Sequence, residues 1–201
     1  LVLLSPNIPL LFMGEEYGER APFLYFIDHS DPGLVEAVRK GRREEFAHFG
    51  WREEDIPDPY AVSTFERSRV HLGSQADERS ASLLRWYRAL TALRKHPALG
   101  VTLHGRHHDA LWSETDGPVL ILHRRTEEGL EVMVLIGLND TAQPITLRQP
   151  VGLWTLKLAG DQPEFSENGP SVFPLTLDIQ ATGKTIVLPP FPVAVYLSSG
   201  S

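Results

Sequence analysis

The hydrophobic pattern changes its period once, near residues 98–109, and that change limits the fold more than any other feature. Before it, Leu83, Trp86, Tyr87, Leu90 and Leu93 recur at three- and four-residue steps across 77–96, with Arg85, Arg88 and Arg94 on the other side. This spacing predicts an amphipathic helix packed on something large and stopped by Pro97. After it come short β-rich runs at 110–112, 119–123, 132–138, 145–147, 153–158, 172–177, 185–188 and 193–197. Thr115-Asp116-Gly117-Pro118, Glu127-Glu128-Gly129 and Asn139-Asp140 separate several of them. Such runs with such turns predict an antiparallel sandwich of about seven or eight strands. The chain is therefore read in two parts, residues 1–98 and 99–201.

The opening of the chain belongs to another kind of structure. Ile8-Pro9-Leu10-Leu11-Phe12-Met13 is short, almost purely apolar and followed by Gly14. Such a run suits a strand buried on both faces, as in a parallel sheet covered by helices, and Pro9 argues against a buried helix. No basic stretch precedes it, so it does not read as a signal peptide. A membrane span needs about 20 apolar residues, and Pro6, Asn7 and Pro9 interrupt this one. With Leu1 rather than Met at the front, the expectation is a fragment that begins inside a buried element of a longer protein. Gly14-Glu15-Glu16-Tyr17-Gly18-Glu19 follows at once, just past the carboxyl end of the expected strand, where α/β proteins keep their ligand sites.

Residues 20–75 read as irregular, with one short helix from Asp31-Pro32 through Leu34, Val35 and Val38 to about Lys40-Gly41. A connection this long is uncommon unless it forms a functional loop.

Composition removes several functions. The net charge of −7 argues against a phosphate-backbone binder. There is no cysteine, hence no disulfide, thiolate nucleophile, iron–sulfur cluster or sulfur-ligated zinc. This fits a reducing, cytoplasmic setting. Neither nucleic acid nor membrane is expected as a partner.

Five groups of residues could carry chemistry. Glu15 and Glu16 could bring one carboxylate to a substrate; neighbours in an extended segment point to opposite sides, and the plain reading ties both to backbone amides or Arg20. Asp28 and His29 could act as acid, base or orienter, while Ser30 or Asp31 caps the helix at Pro32. His104, His107, His108 and Asp109 resemble metal ligands in composition, yet a local cluster in a linker is usually solvated. The run Arg39-Lys40-Gly41-Arg42-Arg43 reads as a solvated helix end. Tyr17, Phe23, Tyr25, Phe26, Trp51 and Tyr60 could stack on sugar rings, although aromatics default to core.

The string Pro9-Leu10-Leu11-Phe12-Met13-Gly14-Glu15-Glu16-Tyr17-Gly18 resembles the eighth barrel strand of the α-amylase superfamily (glycoside hydrolase family 13), in the branch of branching enzymes and trehalohydrolases. Ala21-Pro22-Phe23-Leu24-Tyr25-Phe26-Ile27-Asp28-His29, Arg39 to Phe46, Ile56-Pro57-Asp58-Pro59 and Thr64-Phe65-Glu66-Arg67-Ser68 are similar to the trehalose-releasing members. Leu83-Leu84-Arg85-Trp86-Tyr87-Arg88-Ala89-Leu90 is similar to the last barrel helix. The specific match covers about residues 3–97.

The resemblance implies α/β plus all-β architecture: the terminal βα unit of a TIM (β/α)8 barrel followed by an antiparallel β-sandwich. It implies a retaining hydrolase of the α-1,4-glucosidic bond next to the terminal trehalose of maltooligosyl trehalose. It also implies that the nucleophilic Asp, the acid/base Glu and the stabilising Asp lie on strands four, five and seven, none of which maps here. A barrel needs about 250 residues, so this chain alone is expected to be inactive, with no catalytic residue, metal or cofactor of its own. Its partners are then a trehalose-capped glucan and the preceding part of the same barrel. Glu15, Glu16, Tyr17, Tyr25, Asp28 and His29 are the substrate-binding residues this reading names. A stand-alone carbohydrate-binding sandwich and the same region of a glycogen branching enzyme are the alternatives.

Overall fold

Strand Glu131–Gly137 is covered on both faces, and the β-rich half is arranged around it. The computed structural model describes residues 1–5, 7–72, 77–97, 99, 107–112, 119–148, 150–166 and 170–198, and of 107–112 the backbone alone. Among the described residues there are three helices, α1 Pro32–His48, α2 Val62–Arg67 and α3 Glu78–Leu93. There are eight strands: β1 His107–Trp112, β2 Val119–Thr126, β3 Glu131–Gly137, β4 Gln143–Leu147, β5 Gly152–Ala159, β6 Thr176–Ile179, β7 Lys184–Leu188 and β8 Val193–Ser198. One antiparallel sheet has the order β1-β2-β3-β8-β5-β6, and β4 pairs with β7 in a second.

Alternation along β3 explains its burial. Met133 and Leu135 face one way, joining Ile121, Trp154, Leu177 and Tyr196 against Ile145, Leu147, Ile186 and Leu188 of the small sheet. Val132, Val134 and Ile136 face the other way, with Leu122, Leu158 and Val195. That outer face is covered by Leu90 and the half-buried Trp86, Tyr87 and Leu93 of α3, together with Leu3, Leu4 and Leu99. Fully burying each such aliphatic side chain contributes roughly 1.5–3 kcal/mol. The helix predicted from the three-four spacing thus packs its stripe on the sandwich itself.

The packing divides the chain into Leu1–Leu11 with Glu78–Ser201, and Phe12–Asp77. It does not divide at residues 98–99, because α3 supplies the cover for one sheet face. The run expected at 172–177 becomes a strand only from Thr176. Pro174 has no amide hydrogen for a ladder, and Asp161 holds the approach by accepting from Ser171 Oγ at 2.6 Å and Val172 N at 2.8 Å. The turn at 115–118 lies outside the described residues.

Residues 8–13 carry no strand, contrary to the reading from their apolar run. Ile8 is 73% and Leu10 90% exposed. A parallel strand exists only where neighbours take up its backbone groups, and no described strand pairs with this one. The segment is anchored before that point instead. Arg94 donates to the carbonyls of Leu3, Ser5 and Asn7 at 2.6, 2.9 and 3.0 Å, so it is not the solvent-side residue its spacing suggested. Burial, with Arg124 nearby, lowers the Arg94 pKa from the usual guanidinium value.

In the other unit, Asp31 caps α1 by accepting from Gly33 N at 2.8 Å, with Pro32 in the first turn. The helix passes through Gly41 to His48, beyond the end expected at Lys40-Gly41. A glycine inside a helix costs only about 1 kcal/mol. Ion pairs Lys40–Glu44 and Arg42–Glu45 support the turns that flank it. The true stop is Gly50, at φ +78°. Gly50 N donates to Ala47 O, Trp51 N donates to Phe46 O, and the Phe46 and Trp51 rings meet at 5.1 Å. This is a Schellman motif with its apolar contact.

Candidate functional site

Gly14 and Gly18 hold left-handed backbone, φ +85° and +69°, a region other residues rarely enter. Between them Glu15–Tyr17 forms a single 3-10 turn. A side chain at position 14 would bring its Cβ within 2.6 Å of Glu19 Cβ. Glu15 and Glu16 therefore do not alternate across an extended segment; three residues per turn sets them about 120° apart. Glu15 is exposed, and its Oε2 accepts from Phe12 N at 3.0 Å. Glu16 is half-buried, with no side-chain hydrogen bond or ion pair to another described residue. Tyr17 is 4% exposed and donates its hydroxyl to Glu19 Oε2 at 3.4 Å. It is a packing residue, not one presented to solvent.

Glu19, passed over in the sequence, organises this turn. Its carboxylate accepts from Arg20 N at 2.7 Å, Ala21 N at 2.8 Å and His71 N at 2.6 Å, with His71 Nδ1 at 3.0 Å. The amide of Ala21, then the ring and amide of His71, pull its pKa down to about 2. The available signal was a third acid placed directly after a glycine-bracketed turn.

Residues 23–27 run beside α2 and Pro59: Leu24 N donates to Ser68 Oγ at 3.1 Å, and Ile27 N to Pro59 O at 2.8 Å. Asp28 is exposed and His29 half-buried. Neither has a side-chain hydrogen bond or ion pair with another described residue. Among the described residues, no hydrogen bond, ion pair or ring contact joins them to the Glu15–Tyr17 turn.

Tyr25 has a different neighbourhood. The Arg42 guanidinium lies 4.9 Å from its ring centre and 4.5 Å from that of Phe46, a cation–π arrangement on two rings. Of the run read as a solvated helix end, Lys40 and Arg43 are exposed, whereas Arg42 and Arg39 are half-buried against rings. Arg39 forms a two-pronged pair with Asp58 at 2.9 and 2.7 Å and lies over Tyr60. The Arg39 hydrogen bond is the main cause of the lowered Asp58 pKa. The spacing of Arg42 and Phe46, four apart on one helix face, was the available signal. Phe23, Tyr25, Phe46 and Trp51, with Arg42 and Arg67, line a groove of about 310 Å³. Three of the six aromatics singled out in the sequence, Phe23, Tyr25 and Trp51, meet there, while Phe26 packs on Phe65.

No group of three or more metal-ligating side chains occurs among the described residues. His104 lies outside them, as do the side chains of His107, His108 and Asp109. No described helix is long and apolar enough to cross a membrane.

No family model matches the chain. It is 46% identical over 95 residues to the malto-oligosyltrehalose trehalohydrolase of Arthrobacter ramosus, a stretch covering 47% of this chain and 16% of that protein. It is 44% identical over 98 residues to the enzyme of the same name from Mycobacterium tuberculosis H37Rv, covering 49% and 17%. With the Deinococcus radiodurans enzyme of that name the match runs to 149 residues at 38% identity, covering 74% and 24%. The chain thus spans about a sixth to a quarter of the curated relatives it matches. In structure it is similar to a putative α-amylase of Salmonella typhimurium, with a TM-score of 0.65 and 30% identity over 98% of this chain and 29% of that one. The trehalulose synthase MutB of Pseudomonas mesoacidophila shares the fold alone, at a TM-score of 0.53 and 18% identity, covering 98% and 36%. In sequence, over about half to three quarters of its length, the chain is similar to a portion of malto-oligosyltrehalose trehalohydrolases, and in fold, over nearly all of it, to α-amylase-type enzymes.

Proposed function

We propose that the chain is the C-terminal part of a retaining glycoside hydrolase that cuts the α-1,4-glucosidic bond beside the terminal trehalose of maltooligosyl trehalose. The observation that carries this reading is the 38–46% identity to enzymes bearing that name. The alternatives, a stand-alone binding sandwich and a branching enzyme, find no support among the relatives named above. Retention requires two carboxylates about 5–5.5 Å apart across the scissile bond. In this reading the preceding part of the barrel, a partner of this chain, supplies them, and residues 1–201 alone do not hydrolyse glucan. Residues 1–98 descend from the barrel and 99–201 from the sandwich, although the helix of the first packs with the second. The cysteine-free composition agrees with a cytoplasmic enzyme.

The part assigned to this chain is a wall of the cleft on the trehalose side. Glu15, Glu16 and Asp28 offer acceptors and His29 a ring N–H to sugar hydroxyls, and Tyr25 offers a ring. Tyr17 serves by holding the turn. The test is cleavage of maltotriosyl trehalose by the complete enzyme carrying these residues, with trehalose as the expected product. Glu15→Ala and Asp28→Ala should raise KM or lower kcat by about tenfold, the effect of losing roughly 1.4 kcal/mol of binding. Unchanged kinetics in both variants would remove these residues from the cleft.

A further inference from the structure

The groove beside Trp51 is built more firmly than a loop surface needs to be. Three separate devices fix its walls. The Schellman stop at Gly50 sets the Trp51 ring against Phe46. Arg42 is held between Tyr25 and Phe46 and tied to Glu45 at 2.7 Å. Arg52 grips Asp55 through two hydrogen bonds of 2.9 and 3.1 Å, closing the third side. Yet Trp51 remains 53% and Phe23 63% exposed. Arg67, reaching in from α2, has no side-chain hydrogen bond or ion pair with another described residue. A fixed aromatic wall with a guanidinium left to donate matches the two needs of a pyranose: a flat surface for its C–H face and charged donors for its hydroxyls. Since the walls are already ordered, a ligand gains affinity without bearing the cost of arranging them.

We infer that this groove is a saccharide-binding subsite, taking one glucosyl residue of an α-glucan against Trp51 with a hydroxyl on Arg67. It adjoins the proposed cleft wall, sharing Tyr25 with it and reaching the Glu15–Tyr17 turn through the Phe23–Phe12 ring contact at 4.9 Å, and it has no part in bond cleavage. The choice of glucan rests on the trehalohydrolase reading; the groove itself does not. With Asp55 and Arg42 each already paired, Arg67 is the groove cation without a side-chain partner among the described residues, so a polyol and an anion are told apart by the phosphate arm of the test below.

The experiment is titration of the 201-residue chain with maltotriose, followed through the Trp51 indole N–H resonance, which Trp51→Phe assigns. The indole should shift saturably, and Trp51→Ala should weaken binding at least about tenfold, as expected for an aromatic anchor. Trp51→Phe should keep affinity within a few-fold, and Arg67→Ala, which leaves the walls intact, should weaken it about threefold or more. Maltotriose shifts that avoid Trp51, unchanged binding in Arg67→Ala, or equal displacement by inorganic phosphate would each overturn the proposal. Binding at Trp51 in a protein whose complete form releases no trehalose would leave the groove standing and sink the enzyme reading. An active enzyme whose groove ignores maltotriose would do the reverse.

Discussion

His71 and Glu19, 52 residues apart, are joined twice: the His71 amide donates to one carboxylate oxygen at 2.6 Å, and its Nδ1 lies 3.0 Å from the other. One side chain thereby closes the long excursion between the glycine-bracketed turn and the end of α2. Its neighbours on the turn, Tyr17 and the amides of residues 20 and 21, converge on the same two oxygens.

Acid should open this clasp in a definite window. The folded-state pKa of Glu19 is depressed from 4.5 to about 2. The stability it contributes is therefore complete above about pH 4.5 and lost as pH falls through about 2. The amide shifts of Ala21 and His71 should titrate together with a midpoint near 2. In Glu19→Gln they should not titrate there, and both should move upfield at neutral pH. A midpoint near 4.5 in the unaltered chain would show that the clasp does not hold in solution.

Arg39→Lys should loosen the residues around Asp58 despite keeping the charge. An ammonium cannot reproduce the two-pronged contact, nor lie flat over Tyr60. Faster hydrogen exchange at Tyr60 N, which donates to Asp58 at 3.0 Å, is the expected outcome, with the sandwich amides unaffected. Equal exchange in the two proteins would demote the pair to an ornament of the surface.

Gly137→Ala should destabilise the sandwich. The new Cβ would meet Pro192 Cδ and Cγ at 2.4 Å, while Gly137 N already donates to Pro192 O at 2.8 Å, leaving the strand little room to retreat. Overpacking of this kind costs about 1–3 kcal/mol. Each kcal/mol lowers the melting temperature by roughly 2–4 °C in a chain of this size. Differential scanning calorimetry reads the shift directly.

Leu90→Ala should cost about 2–5 kcal/mol, the range for emptying a buried leucine site, because Leu90 is 6% exposed beneath the outer sheet face. Leu72→Ala, at a residue 86% exposed, should change stability by no more than about 0.5 kcal/mol. Urea midpoints that fall equally for both would contradict the packing of α3 on the sandwich.

The strands were legible as short β-rich runs set apart by turn residues, and Asp31 was legible as a cap because its chemistry is local. Glu19 was not, since its partner His71 lies far along the chain and no spacing announces it. The helix beyond Gly41 was missed because one glycine is a weaker signal than the flanking ion pairs that outweigh it. The run at 8–13 reads as a buried strand in sequence alone, and its lack of a ladder shows that such a strand is made by its neighbours, not by its own residues. For the groove, the aromatics were visible in the sequence, whereas the arginine between two of their rings required three dimensions.

Because α3, with Leu3 and Leu4, roofs the outer face of the six-stranded sheet, the transplantable piece of this chain is the opening segment Leu1–Leu11, the helix and the sandwich together. A graft cut at residue 99 would leave Leu122, Val134 and Val195 bare to water and should clump. Recombination within this architecture would accordingly have to keep Leu1–Leu11 together with Glu78–Ser201, and would fail at the seam where the sequence changes its rhythm.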